Sequence, residues 1–206
     1  MHPDADVLDV DPVTGGRTGL SAYARRALRA LNGAKVPYAL VGAVALAVRG
    51  LPRMTRDLDV VVVIEDAYAA LDALGAAGFH SIAPVVRGED PEPMYVLKDR
   101  GGNEVDLLVA AGEPESTIVA EAPKATAFGV RAPVASLEHL VLMYLYSNQP
   151  RHLGDFARIV TETKVDLAAV ERYLSDVHPE MLPALRERVG TARHPAPPPP
   201  RPPRRK

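Results

Sequence analysis

Two aspartates separated by one residue, Asp57 and Asp59, open an apolar run that is typical of a buried β-strand reaching Ile64. Alternate side chains on a strand share a face, so both carboxylates point the same way while Leu58 and Val60 point into the core. Neighbouring carboxylates repel each other, and a divalent cation is a common way to offset that repulsion. The spacing therefore predicts a magnesium site at the beginning of this strand.

A third carboxylate, Asp106, lies in the apolar run 104–109. The same alternation makes Asp106 the acidic residue of an otherwise apolar strand. Asp106 joins Asp57 and Asp59 if the two strands are neighbours, and three carboxylates can hold two ions. An Asp-x-Asp pair alone is common at strand starts, where the acids face solvent. The assignment therefore depends on the residues around the pair.

The residues before the two aspartates are suited to contact a phosphate group. Gly42 follows a short apolar strand and opens a helix with Ala43, which lets backbone N–H groups approach an anion. Between that helix and the aspartates, Arg53 and Arg56 add cations and Thr55 adds a hydroxyl. This order predicts a phosphate-binding site beside the metal.

Hydrophobic periodicity and turn residues predict the elements that position these side chains. In the first part of the chain, alternating helices and strands are predicted at 21–31, 36–41, 43–49, 58–64, 67–77 and 80–86. The first helix is expected to be capped by Ser21 and ended by Gly33. The cluster 99–103 is expected to join strands 94–98 and 104–109 as a hairpin.

From Ser136 onward the pattern is helical, with Ser136 and Asp166 as expected helix caps. Helices are predicted at 136–147, 153–163, 166–177 and 180–189. The predicted fold class is α/β (α+β), with a mixed sheet flanked by helices and followed by a C-terminal helical region. The predicted divisions are a flexible segment at 1–19, a core at 20–133, a helical region at 134–190 and a disordered Pro/Arg-rich tail at 191–206.

The amino-acid composition excludes several kinds of protein and of catalytic site. The formal charge of −2 gives no overall attraction to nucleic acid, so such binding needs a local patch. The absence of cysteine excludes disulfide scaffolds, thiolate zinc sites and cysteine nucleophiles. Neither a secretory signal nor a membrane span is recognisable, which predicts a cytoplasmic protein with no membrane partner.

Two segments resemble a known family: YALVGA at 38–43 and RMTRDLDV at 53–60. Gly-Gly or Gly-Ser after a strand, then a helix, then an Asp-hydrophobic-Asp motif form the signature of the polymerase-β-like nucleotidyltransferase superfamily. The Arg-x-Thr-x-Asp pattern especially resembles the corresponding motif of the AbiEii-type abortive-infection toxins. The resemblance implies the minimal nucleotidyltransferase fold, in which Asp57 and Asp59 bind metal and Asp106 completes the site.

The segments SLEHL at 136–140 and RHLGD at 151–155 resemble the helical motifs that follow the core in AbiEii-type proteins. The resemblance thus spans about residues 35 to 165 and implies that Arg151 and Asp155 bind the nucleotide. A surface ion pair on one helix is the alternative for these two residues. The chain departs from the family at Ala43, which replaces a glycine or serine, and at Tyr144, which replaces a lysine.

The resemblance implies transfer of a nucleoside monophosphate from an NTP to a hydroxyl acceptor, with two Mg²⁺ ions as cofactors. The implied acceptor is tRNA or a protein, and the implied partner is a cognate antitoxin of a toxin–antitoxin or abortive-infection system. The alternative is a catalytically inactive relative that binds a nucleotide, RNA or protein, which the changes at Ala43 and Tyr144 favour. A third reading, an enzyme that modifies an antibiotic, uses the same carboxylates and would be favoured by a small open pocket beside Asp106.

Overall fold

The computed structural model describes Leu8 and residues 19–194. The chain forms two compact units, Met1–Met143 and Tyr144–Lys206. The predicted flexible segment at 1–19 lies outside the described residues except for Leu8 and Gly19, and so does the predicted tail from residue 195 onward. In the described part of the chain, no helix combines the length and the apolar character needed to cross a membrane.

Helices and strands alternate through most of the first unit. The helices are α1 (Leu20–Ala34), α2 (Gly42–Val48), α3 (Ala67–Ala76), α4 (Glu115–Glu121) and α5 (Leu137–Leu145), whose end enters the second unit. The strands are β1 (Ala39–Leu40), β2 (Asp57–Val63), β3 (His80–Ser81), β4 (Met94–Lys98), β5 (Glu104–Ala110), β6 (Lys124–Ala127) and β7 (Val130–Pro133).

Five strands form a mixed sheet in the order β1-β2-β5-β4-β3, in which only the β2–β5 pair is parallel. One face of β2 and β5 is wholly apolar and fully buried, with side chains Leu58, Val60, Val105 and Leu107. Helices α1 and α3 pack against each other and against β2. The predicted α/β class, with a mixed sheet flanked by helices, is confirmed.

Helix α1 begins and ends differently from the sequence prediction. Ser21 is not the cap: it is buried in the first turn, and the helix begins at Leu20 after Gly19. Gly33 does not end the helix either, because the turn closes at Lys35 in the left-handed region, with a φ of 56°. The N–H of buried Val36 donates to Leu31 O at 3.2 Å and closes the C-terminal turn. Both ends of α1 therefore adjoin a buried apolar residue, Leu20 at the start and Val36 after the end.

Two predicted strands are shorter than expected, and one hairpin was missed. The run 36–41 pairs only at Ala39–Leu40, and the run 80–86 only at His80–Ser81, since the residues beyond Ser81 are mostly exposed. The missed hairpin, β6–β7, turns at Phe128 and Gly129, which both have positive φ. A two-residue turn of this kind normally carries Asn or Asp before glycine, and the buried Phe128 conceals it in the sequence.

The predicted β4–β5 hairpin is confirmed, and Asp99 orders its turn. Strands β4 and β5 pair antiparallel up to Lys98 and Glu104. Asp99 Oδ1 accepts hydrogen bonds from the N–H groups of Gly101 at 2.8 Å and Asn103 at 3.0 Å, and the carboxylate also pairs with Arg26 on α1. The turn therefore ties the beginning of β5 to α1.

The second unit is helical, with α6 (Pro150–Glu162), α7 (Leu167–Val177) and α8 (Leu182–Arg193) after the end of α5. Its buried side chains include Phe156, Ile159, Leu174 and Leu185. The predicted caps are present, since Asp166 accepts the N–H of Ala169 at 3.0 Å and, in the first unit, Ser136 accepts that of His139 at 3.2 Å. Helix α8 continues to Arg193, past the predicted start of the tail at residue 191.

We expect the Asp99→Asn variant to be less stable at pH 7 by about 1 kcal/mol, because the ionised carboxylate is the stronger acceptor. Partial burial opposes ionisation, but hydrogen bonds from Asn103 and Arg26 outweigh it and hold the pKa of Asp99 below its usual value. Its stabilising contribution is therefore complete above the pKa of an unfolded aspartate and is lost as the pH falls through the folded-state pKa.

Urea unfolding at a series of pH values measures this difference. The difference in unfolding free energy between wild type and Asp99→Asn should shrink as the pH falls below the pKa of an unfolded aspartate and then through the lower folded-state pKa. Asp72→Asn is the matched control, because Asp72 also pairs with an arginine, Arg87, but its side chain is 65% exposed. An equal loss of stability in both variants would contradict the role given to Asp99.

Candidate active site

Three carboxylates converge where the parallel strands β2 and β5 lie side by side. The register pairs Asp59 with Asp106, and Asp57 shares the face of Asp59 two residues earlier. Each of the three half-buried aspartates offers a carboxylate oxygen, and these oxygens all lie within 4.8 Å of one another. Clustered carboxylate oxygens are the donors that Mg²⁺ prefers. The arrangement fits a divalent metal ion.

A fourth carboxylate, Glu104, lies in the same row and was missed by the sequence analysis. It is the register partner of Asp57, so its side chain shares the face of the three aspartates. Lys98 on β4 forms an ion pair with it at 2.9 Å. The alternation that identified Asp106 also points to Glu104, two residues earlier. The ion pair offsets its charge and places a cation at the edge of the acidic cluster.

Gly42 leaves room for the Asp59 side chain. Its φ is 61°, and a Cβ atom built on it would lie 2.0 Å from Asp59 Oδ2, too close for any other residue. The neighbouring N–H of Val41 donates to Asp59 O at 3.2 Å. The predicted glycine is therefore adjacent to the carboxylate cluster. Ala43 is fully buried, so its side chain contributes packing.

Three of the predicted phosphate-contacting residues, Arg53, Thr55 and Arg56, lie on the loop before β2. Their environments differ. The buried Thr55 hydroxyl donates to Asp57 Oδ1. Arg53 is half-buried, and its guanidinium donates to Met54 O at 3.2 Å. Arg56 is exposed. Thr55 thus orients a carboxylate, while the two arginines supply positive charge next to the acidic cluster in sequence.

Tyr23 on α1 is a further residue of the site that sequence analysis missed. Its side chain is buried, and its hydroxyl donates to Arg56 O at 2.7 Å, directly before Asp57. Burial, together with the charges of Asp57 and Asp59, raises the pKa of Tyr23 well above its usual value, so the hydroxyl keeps its proton. In the sequence, Tyr23 lies on the apolar face of a helix and looks like an ordinary core residue.

The two remaining predicted residues, Arg151 and Asp155, lie on α6 in the second unit. Arg151 is exposed and its Nε donates to Gln149 Oε1 at 3.1 Å. Asp155 is buried, with an exposure of 4%, which does not fit the surface ion pair considered as an alternative. Tyr144, at the position of the family lysine, is also buried, and its ring stacks on His152 with centroids 4.9 Å apart.

No family model and no curated protein matches this chain. Among solved structures, ANT(2″)-Ia in complex with adenylyl-2″-tobramycin is 18% identical, with coverage of 83% of this chain and 97% of that chain and a TM-score of 0.47. A proposed nucleotidyltransferase from Thermotoga maritima is 17% identical, with coverage of 75% and 92% and a TM-score of 0.49. At these values the likenesses establish no family, so function is inferred from the carboxylate site.

We expect Gly42→Ala to weaken binding of Mn²⁺, used as a surrogate for magnesium, by at least about tenfold. The added methyl group would displace the Asp59 carboxylate. Gly50→Ala is the matched control: Gly50 has a φ of 90° but no atom within 4 Å of the added Cβ, so it tests backbone strain alone. Calorimetric titration measures both, and equal affinities in the two variants would contradict the steric argument.

Thr55→Val is expected to weaken Mn²⁺ binding about tenfold in the absence of nucleotide, because it removes the hydrogen bond that orients Asp57. Thr55→Ser keeps the hydroxyl and should retain the wild-type affinity. If Thr55→Val binds Mn²⁺ normally but binds nucleotide weakly, the hydroxyl contacts phosphate instead, as the sequence analysis predicted.

Proposed function

We propose that this chain is a metal-dependent nucleotidyltransferase of the polymerase-β-like superfamily, which transfers a nucleoside monophosphate from an NTP to a hydroxyl acceptor. The observation that carries the proposal is the convergence of Asp57, Asp59 and Asp106, whose oxygens lie within 4.8 Å of one another. Three anions at this spacing are costly to hold without cations. Mg²⁺ bound to a triphosphate would supply them.

When bound, magnesium neutralises the triphosphate charge and polarises the phosphoryl group that is transferred. The side chains of Asp57 and Asp59 would hold the metal, and Asp106 would complete the metal site and accept the proton of the acceptor hydroxyl. A bond forms between that hydroxyl oxygen and the α-phosphorus while the bond to the bridging oxygen of the β-phosphate breaks. Pyrophosphate leaves with the electron pair, and the nucleoside monophosphate remains on the acceptor.

Residues that hold the carboxylates in place support this proposal. Thr55 donates to Asp57, and Tyr23 donates to the carbonyl of the residue before it. Gly42 allows Asp59 to lie against the backbone at the start of α2. A site fixed in this way needs little rearrangement when metal and nucleotide bind.

The proposed contacts with the nucleotide follow from charge and from the family resemblance. Arg53 and Arg56 neutralise charge on the phosphates, a role suited to the planar guanidinium group. The resemblance assigns Arg151 and Asp155 to nucleotide binding as well. For the acceptor we propose tRNA or a protein, and for the biological role a toxin of a toxin–antitoxin or abortive-infection system, with a cognate antitoxin as partner.

The second candidate function is a catalytically inactive module that binds a nucleotide. The observation that favours it is Tyr144, which stands where the family carries a lysine and is 3% exposed and stacked on His152. A buried tyrosine cannot replace a cation at a triphosphate. This candidate keeps the metal site and the bound nucleotide but releases no pyrophosphate.

Calorimetric titration of the four nucleoside triphosphates with magnesium tests the site. We expect the wild type to bind at least one of them, and the Asp57→Asn, Asp59→Asn double variant to bind none, since it lacks two of the three charged ligands. The double variant should unfold at the same temperature as the wild type or higher, because neutralisation relieves repulsion between carboxylates.

The control is Glu65→Gln, Asp72→Asn, which removes the same charge from exposed side chains. A double variant that fails to fold would show that Asp57 and Asp59 are structural, and wild-type protein that binds no triphosphate would contradict the proposal. Pyrophosphate release in the presence of tRNA then separates the enzyme from the binding module.

A further inference from the structure

A pocket of about 510 Å³ in the first unit is lined by three cations, Lys35, Lys124 and Arg131, together with Asn32 at the end of α1. No aspartate or glutamate lines it. It is here called the basic pocket. The chain as a whole carries a formal charge of −2, so a group of cations without carboxylates is a local departure from its average composition.

The backbone around the three cations is held in place. On the β6–β7 hairpin, Lys124 pairs with Pro133 and Thr126 with Arg131, so Lys124 and Arg131 are diagonal neighbours on one face, about 7–8 Å apart. Most of the other face is buried, including Ala127, Val130 and Ala132. Asn32 Nδ2 donates to Arg131 O at 3.0 Å and the Lys35 N–H donates to Asn32 O at 3.2 Å. These bonds join the hairpin to the end of α1.

The charges of the basic pocket are available to a ligand. The side chains of Lys35, Lys124 and Arg131 are exposed, and none forms an ion pair with a carboxylate in the part of the chain that the structure describes. Two other exposed cations of the first unit, Arg26 and Arg87, are by contrast paired with aspartates. A patch of unpaired cations attracts an anionic partner.

The chemistry of the patch fits a chain of phosphates better than a single small anion. Long, exposed cations several ångströms apart contact successive phosphates of a nucleic acid backbone and give binding that depends steeply on salt. RNA also carries the hydroxyl groups that the proposed reaction requires. One RNA molecule can thus supply both the phosphates for the basic pocket and the acceptor for the carboxylates.

The paired strands β1 and β2 connect the basic pocket to the carboxylate site. Ala39 follows the pocket residue Tyr38 and pairs with Val61, four residues along β2 from Asp57. Four residues of a strand span about 13 Å. We propose that the basic pocket binds the phosphate backbone of an RNA acceptor whose hydroxyl is directed to Asp106. The assignment of the acceptor rests on the proposed function.

The test is fluorescence anisotropy with unfractionated tRNA over a series of salt concentrations. The Lys35→Gln, Lys124→Gln, Arg131→Gln triple variant should bind tRNA at least about tenfold more weakly than the wild type. A plot of the logarithm of the association constant against the logarithm of the salt concentration should be less steep by about 2. Glutamine at residue 131 keeps the carbonyl that accepts from Asn32. The control triple, Lys164→Gln, Arg172→Gln, Arg186→Gln, removes the same charge from the second unit and should bind like the wild type.

Equal weakening by both triple variants would overturn the proposal, because it would reduce the effect to overall charge. The proposal would also be overturned if the wild type binds no tRNA. A third contrary result is that polyglutamate binding depends on the three residues while tRNA binding does not depend on them. Titration with magnesium and triphosphate separates this proposal from the function of the carboxylates. The triple variant should keep wild-type triphosphate binding, and the Asp57→Asn, Asp59→Asn variant should keep tRNA binding.

Discussion

The site depends on the parallel register between β2 and β5. This register sets Asp59 opposite Asp106 and keeps Asp57 on the same face, although the strands are separated by about forty residues of chain. A shift of one residue would turn Asp106 into the core and bring Leu107 to the acidic face. The fully buried side chains on the opposite face, such as Leu58 and Val105, fix the register, because any other alignment would expose them and bury charge.

Holding three carboxylates together costs free energy, and the surrounding structure shows how this unit accommodates it. Thr55 donates to Asp57, and Lys98 pairs with Glu104 at the edge of the cluster. Tyr23 stays protonated and donates to the carbonyl of Arg56, which anchors the beginning of β2 to α1. A divalent cation bound to the three aspartates would offset the repulsion that remains between them.

The first unit carries opposite charges in two regions. The carboxylates lie at the beginning of β2, and the basic pocket lies beyond β1, where the end of α1 meets the β6–β7 hairpin. The hairpin is absent from the sequence prediction because its turn uses the buried Phe128 at a positive φ. Without it, Lys124 and Arg131 look like scattered surface charges. The tertiary structure is what groups them with Lys35.

The sequence by itself determined the α/β class, the β4–β5 hairpin and the pair Asp57 and Asp59, because strand alternation and turn residues are local properties. It also gave reason to expect Asp106, but only on the condition that two distant strands are neighbours. Tertiary structure made the two strands neighbours. It also placed the Asp59 side chain against Gly42, where any other residue would clash, and the Thr55 hydroxyl in a hydrogen bond to Asp57. It alone added Tyr23, Glu104 and the basic pocket, since contacts between residues far apart in the chain depend on packing, which no local pattern records.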